Sequence, residues 1–322
     1  MWPADRYGIV HRDVALDSGF SERDIATALR DGVLARVARG RYVPTDQLGA
    51  TGDPRDELYR LTCIAVATGP GQPVLSHDSA AAVHRLKLLY PDRTHVHVTT
   101  GREGGGSRRA RRVIHGARLG QDDVVEVDGV RVTSVARTAA DIALSTAKFP
   151  QALTAFDAAL RAGGDTEAIT RFLECSRRGV SAARRALGFA DGRSESPGES
   201  WSRAQMIEGD LPVPDLQVEY ALRDGSIARC DFGIDDVFVG EFDGLVKYRR
   251  DMRGGDNPED VVIREKIRED RLRDLDLDVR RWIWDDLRGN RLVPMLRRRY
   301  EALGIRCSRR SLTSSTSAHF RR

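Results

Sequence analysis

At 322 residues the chain exceeds one ordinary compact domain and predicts two or three units. Hydrophobic residues at 40% and charged residues at 31% exclude a disordered chain, and no apolar run reaches the length that spans a bilayer. The net charge of +4 is mild, but from Arg288 to Arg322 ten arginines face one acid, Glu301, which suits either a polyphosphate contact or a solvated tail.

The opening residues, Met1-Trp2-Pro3-Ala4-Asp5-Arg6, lack the basic stretch and apolar block of a secretory signal, so a cytoplasmic location is expected. Cys63, Cys175, Cys230 and Cys307 lie far apart with no C-x-x-C pair, against a disulfide framework or a zinc knuckle. Residues 1–50 predict a helix over Arg12 to Leu16, a Ser18-Gly19 turn, and a second helix opened by the box Ser21-Glu22-Arg23-Asp24. Short β segments at Val33 to Val37 and Arg41 to Val43 complete the order of a winged helix-turn-helix. Such a unit lays its second helix in the major groove, with Arg23, Arg30, Arg36, Arg39 and Arg41 available to phosphates, so DNA is the expected partner; protein docking is the alternative.

Gly8-Ile9-Val10, Ser18-Gly19-Phe20-Ser21, Asp31-Gly32 and Arg39-Gly40-Arg41-Tyr42-Val43-Pro44 together resemble the N-terminal winged helix of the AbiEi-type antitoxins. That resemblance implies promoter binding and autorepression, with a cognate toxin as a possible partner. Residues 51–193 form the mixed α/β middle. Helices are expected at Arg55 to Ala67, Ser76 to Val83, Arg137 to Ser145 and Gln151 to Arg161, with strands at His95 to Val98 and Val130 to Val135. The loop Gly101 to Arg112 carries five arginines and four glycines but no G-K-[ST], so it reads as a solvated hairpin tip rather than a P-loop. Five of the seven histidines, His77, His84, His95, His97 and His115, fall in this region. None makes an H-E-x-x-H frame, and scattered hydrogen-bonded histidines are expected.

Residues 194–290 carry the chemistry. The segment Ser194 to Ser200 combines turn formers with an N-cap candidate and leads into a helix from about Glu199 to Glu208; strands come next at Gln217 to Leu222, Ile227 to Ile234 and Asp236 to Phe242. A charged helix from Asn257-Pro258 to Leu275 then leads to a strand at Val279 to Trp284. This is the element order of a restriction-endonuclease-like fold, giving a multi-domain α/β protein with a basic segment at 291–322. A strand period of two puts Val239, Glu241 and Asp243 on one side and Phe238, Gly240 and Phe242 on the other. Asp231 on the preceding strand is placed to join the two acids across the hairpin. Hard oxygen ligands of this kind suit Mg²⁺ or Mn²⁺ acting on a phosphodiester.

Asp231, then Glu241-Phe242-Asp243 after nine residues, resembles the PD-(D/E)XK nuclease signature. Glu241-Phe242-Asp243-Gly244 with Arg268-Glu269-Asp270-Arg271-Leu272 and Val279-Arg280-Arg281 is similar to an uncharacterised family related to very-short-patch-repair endonucleases. The resemblance implies metal-dependent cleavage by Asp231, Glu241 and Asp243. Asp243 stands where that family has lysine, so Lys247 is the candidate substitute and Glu199 a candidate extra ligand or orienting group. Two functions are compatible with these features: a metal-dependent endonuclease in defence or repair, or a non-catalytic repressor or antitoxin-like regulator. Without metal, Glu241 would form an ordinary ion pair with Arg281 or Lys247.

Overall fold

The computed structural model describes residues 1–49, 52–146, 148–244 and 267–307. The chain is a multi-domain α/β protein that divides into two compact units, Met1–Gly192 and Arg193–Arg322.

The first unit begins with β1 (Val10–His11), α1 (Arg12–Asp17), α2 (Glu22–Arg30), β2 (Leu34–Ala38) and β3 (Arg41–Pro44). α2 starts at Ser21 because a reciprocal box satisfies two free backbone donors: Ser21 Oγ accepts the Asp24 N–H, and the Asp24 carboxylate accepts the Ser21 N–H. Helical spacing then turns Ile25 and Ala28 onto Val10, Ala15, Leu34 and Tyr42. The strands order β1-β3-β2, and Gly40 closes the β2–β3 hairpin at φ +69, a left-handed conformation natural to glycine.

This winged arrangement shares its core with the central sheet of the same unit. Ile9, Val37 and Val43 pack with Tyr59 and Ile64 of α3 (Pro54–Ala67) and with Val96, Val98, Val130 and Val132. The expected break near residue 50 therefore falls inside one unit. Next come β4 (Val74–Leu75), α4 (His77–Val83), β5 (Val96–Gly101), β6 (Ser107–Arg109), β7 (Arg112–Arg118), β8 (Val124–Val127) and β9 (Val130–Thr133). They build a six-stranded mixed sheet in the order β6-β7-β5-β4-β9-β8. The glycine- and arginine-rich stretch from Gly101 to Arg112 is exposed throughout. α5 (Val135–Thr146), α6 (Phe149–Arg161), α7 (Thr166–Arg171) and α8 (Val180–Leu187) complete the unit. Buried Ala139, Ala140, Ala143, Ala155 and Ala159 give α5 and α6 small packing faces.

The second unit contains α9 (Pro197–Glu208), β10 (Asp215–Ala221), β11 (Ile227–Ile234), β12 (Phe238–Asp243), β13 (Asp278–Ile283), α10 (Trp284–Arg288) and α11 (Leu292–Ala302). β10, β11 and β12 form an antiparallel meander, and β13 joins β12 in parallel. Much of the helix expected from Asn257-Pro258 lies outside the described residues; residues 267–273 are helical. The strand period sorts the two faces of β12 as the sequence predicts. Phe238 and Phe242 join Phe232, Trp282, Leu296 and Tyr300, while Val239 joins Cys230, Leu272 and Val279. Gly240 leaves room for the Trp282 ring, since a Cβ there would lie 2.5 Å from it. α11 buries Leu292, Leu296 and Tyr300 at a spacing of four, so this part of the basic segment is a packed helix.

Candidate functional site

The acids of the second unit occupy one end of its sheet. The β11–β12 ladder is paired as far as Phe232 and Gly240. The next step is made by a side chain, Asp231 Oδ2 accepting the Phe242 N–H at 2.9 Å. Asp231 and Glu241 are buried, at 8% and 5% exposure. Burial pushes the Glu241 carboxyl above its ordinary range; the Arg268 guanidinium opposes that shift and the Asp231 charge adds to it. Arg268 Nη2 donates to Glu241 Oε1 at 2.8 Å and also reaches the Arg229 carbonyl. Asp243 lies 3.5 Å from Arg281, which also pairs with Glu269 at 3.2 Å. The same crowding acts on Cys230, whose thiol is pushed up to about 12 by burial and by Glu241.

Glu241 thus meets Arg268, with the Arg281 charge also acting on it, and Lys247 lies outside the described residues. Glu199 is committed to the start of α9. Its Oε2 accepts from Glu195 N at 2.8 Å and Gln217 Nε2 at 3.1 Å, and its Oε1 accepts from Ser196 Oγ at 2.7 Å. These bonds complete the cap of α9 and satisfy a buried carboxylate.

In the first unit Arg23, Arg30, Arg36 and Arg39 are exposed on α2 and the β2–β3 hairpin. Arg30 bonds Thr27 Oγ1 at 3.0 Å, and Arg36 leans over the Tyr42 ring. Arg41 is engaged within the unit. Its guanidinium bonds Thr68 Oγ1 at 2.8 Å and the Ala65 carbonyl, tying the hairpin to the C-terminus of α3, where carbonyls lack helical partners. An open groove is lined by His11, Arg12, Asp13, Arg39, Gly40 and Arg41.

The histidines depart further from expectation. Among the described residues, the one group of three or more potential ligand atoms lying within 4.8 Å of one another belongs to His77, His97 and His115, not to the acids. His77 opens α4 in left-handed backbone at φ +50; His97 is on β5 and His115 on β7. Parallel pairing of β5 with β7 sets His115 beside Thr99, two residues from His97. The His77 and His115 rings stack at 3.7 Å between centroids, and His97 Nδ1 stands 3.0 Å from His115 Nε2. Burial holds His77 well below the usual histidine range and His115 down to about 4. The sequence reading missed this group because it placed no strand at Arg112–Arg118. The alternation Val113-Ile114-His115 beside His95-Val96-His97 was the available signal. His84 stays apart from the trio, bonding the Thr133 carbonyl, while His95 sits edge-on to His97 and shares Asp92 Oδ2 with it.

No protein-family model matches the chain. A crystal structure of the Rv2827c protein from Mycobacterium tuberculosis aligns with 66% of this chain and 80% of its own, at 13% identity and a TM-score of 0.36, too slight a likeness to inform the site. The uncharacterised proteins MT2308 and Rv2248, from two strains of Mycobacterium tuberculosis, are each 32% identical over 277 residues, which is 83% of this chain and 92% of theirs. The chain belongs to the family of these uncharacterised mycobacterial proteins.

Proposed function

We propose that this is a cytoplasmic DNA-binding protein that docks on duplex through α2 and the β2–β3 hairpin. The observation that carries the reading is the exposure of Arg23, Arg30, Arg36 and Arg39 on those two elements, in the order helix, turn, helix, hairpin. Phosphate neutralisation by such arginines releases counterions, so affinity falls steeply with salt. The test is a mobility-shift titration of duplex DNA at several salt concentrations. Arg23→Ala with Arg39→Ala is expected to flatten the log–log salt slope by about 2, one for each lost phosphate contact. An unchanged slope, or no duplex binding at low salt, overturns the reading. Regulation of a toxin partner is the role this function would serve in a repressor or antitoxin.

A second reading rests on the buried pair Asp231 and Glu241, where burial first and the Asp231 charge second raise the Glu241 carboxyl. An Mg²⁺ or Mn²⁺ ion displacing Arg268 from Glu241 would make the second unit a phosphodiesterase. Plasmid nicking with either metal, lost in Asp231→Ala and in Glu241→Ala, is the expected result. Activity that survives the double variant removes this reading and leaves the DNA-binding one intact.

A further inference from the structure

The histidine trio of the first unit has no part in either function above. Its geometry goes beyond a chance gathering of rings. All three ligand nitrogens lie within 4.8 Å of one another. A tetrahedral zinc ion with Zn–N bonds of about 2.0–2.1 Å sets its nitrogens about 3.4 Å apart, a separation within reach once the stacked His77 and His115 rings turn to bring their lone pairs onto one ion. Two of the three outward nitrogens already have partners. His97 Nε2 faces Asp92 Oδ2 at 3.4 Å, leaving Nδ1 turned toward His115. His77 Nδ1 lies 3.0 Å from Ser76 Oγ, and its Nε2 makes no hydrogen bond among the described residues. A carboxylate or hydroxyl on the far nitrogen is how metal-binding histidines are oriented and held in the right tautomer.

Two further observations point inward. Thr99 shares the His97 face of β5 and pairs in register with His115. It is 4% exposed, yet its hydroxyl has no hydrogen-bond partner among the described residues. Buried hydroxyls are nearly always satisfied, and a metal-bound water beside Thr99 would satisfy this one. His77 also keeps a left-handed backbone that a β-carbon disfavours, a strain of the kind that gathers at functional sites. Local charge is compatible with a cation. Arg137, the nearby positive group, is held by Asp141 at 2.9 Å and Asp123 at 2.8 Å, and the Asp78 and Asp92 carboxylates lie on the His97 side.

We propose that His77 Nε2, His97 Nδ1 and His115 Nε2 bind a divalent transition metal of the zinc type, with Asp92 and Ser76 orienting the ligands and a fourth position open to water. Imidazole donors favour such an ion over Mg²⁺, so this site is distinct in chemistry from the acids of the second unit. Half-burial of His115 leaves a route for water and metal. Three protein nitrogens and one open position is the ligand count of hydrolytic rather than structural zinc sites.

The experiment takes the full chain, stripped with chelator and dialysed, and titrates it with zinc chloride by calorimetry, with elemental analysis of the product. One zinc per chain is expected. His97→Ala and His115→Ala should each abolish stoichiometric uptake, Asp92→Asn should weaken it about 10–100-fold, and Asp231→Ala should leave it unchanged. Circular dichroism confirms that each variant is folded; if a ligand variant is not, His115→Gln replaces it. Cobalt substitution supplies a second readout, the visible bands of four-coordinate Co²⁺, lost in the same variants. Absence of stoichiometric zinc in the wild type overturns the proposal. So does full uptake by a folded His97→Ala/His115→Ala double variant, or loss of uptake in Asp231→Ala.

Discussion

Arg268 shows how one side chain decides the state of a buried acid. Among the described residues its guanidinium is the cation bonded to the Glu241 carboxyl, and removal leaves that carboxyl buried beside Asp231. Arg268→Ala is therefore expected to cost about 3 kcal/mol in a denaturant melt, a loss limited by Glu241 taking up a proton instead of staying charged. The sequence carried the pattern for the acids but not for their partner. Strand parity puts Glu241 and Asp243 on one side of β12, whereas Arg268 arrives from a helix whose packing no local pattern dictates. Gly240 is a second single-residue determinant. Because an added Cβ would lie 2.5 Å from Trp282, Gly240→Ala should destabilise the second unit by about 1–3 kcal/mol in the same assay.

At the scale of elements, helix starts were legible because capping is local. Ser21 with Asp24 sits where the motif requires, and Ser196 caps α9, which begins two residues ahead of the expected start. Glu199→Gln should retain most of the stability, since glutamine also completes the box, while Glu199→Ala should lose about 1–2 kcal/mol by chemical denaturation. The six-stranded sheet was far less legible. β6 is short and exposed, β7 and β8 are only partly buried, and the pairing of β5 with β7 depends on contacts distant in sequence. The histidine trio exists through that pairing. His84 ends α4 and ties it to β9 through the Thr133 carbonyl, and burial lowers its pKa below the ordinary value of 6.5. The unfolded chain thus takes up a proton at a higher pH than the folded one. His84 contributes stability present above pH 6.5 and lost as pH falls toward its folded value, by at most about 1.4 kcal/mol per pH unit for one proton. Thermal melts from pH 7.5 to 5.5 should show this decline, and a shallower one in His84→Gln.

The whole chain contains two units with separate cores, one built on Ile64, Leu75 and Val132 and the other on Phe232, Phe238 and Trp282. Calorimetry should resolve two transitions, with Phe232→Ala lowering only one of them. A single transition shifted as a whole would contradict this division. The winged helix does not supply a third, because its Ile9, Val37 and Val43 lie in the core of the first unit. The sequence offered no sign of this sharing, since alternating apolar residues announce a buried face but not which element covers it.

The parallel seating of β13 against β12 has a kinetic corollary. β10, β11 and β12 are joined by tight turns and can pair as soon as they are made, but β13 must wait for the long crossover from Asp243 to Asp278 to close. The second unit is therefore expected to fold from its meander outward. Substitutions at the β13 face of the core, such as Trp282→Phe, should accelerate unfolding more than they slow refolding.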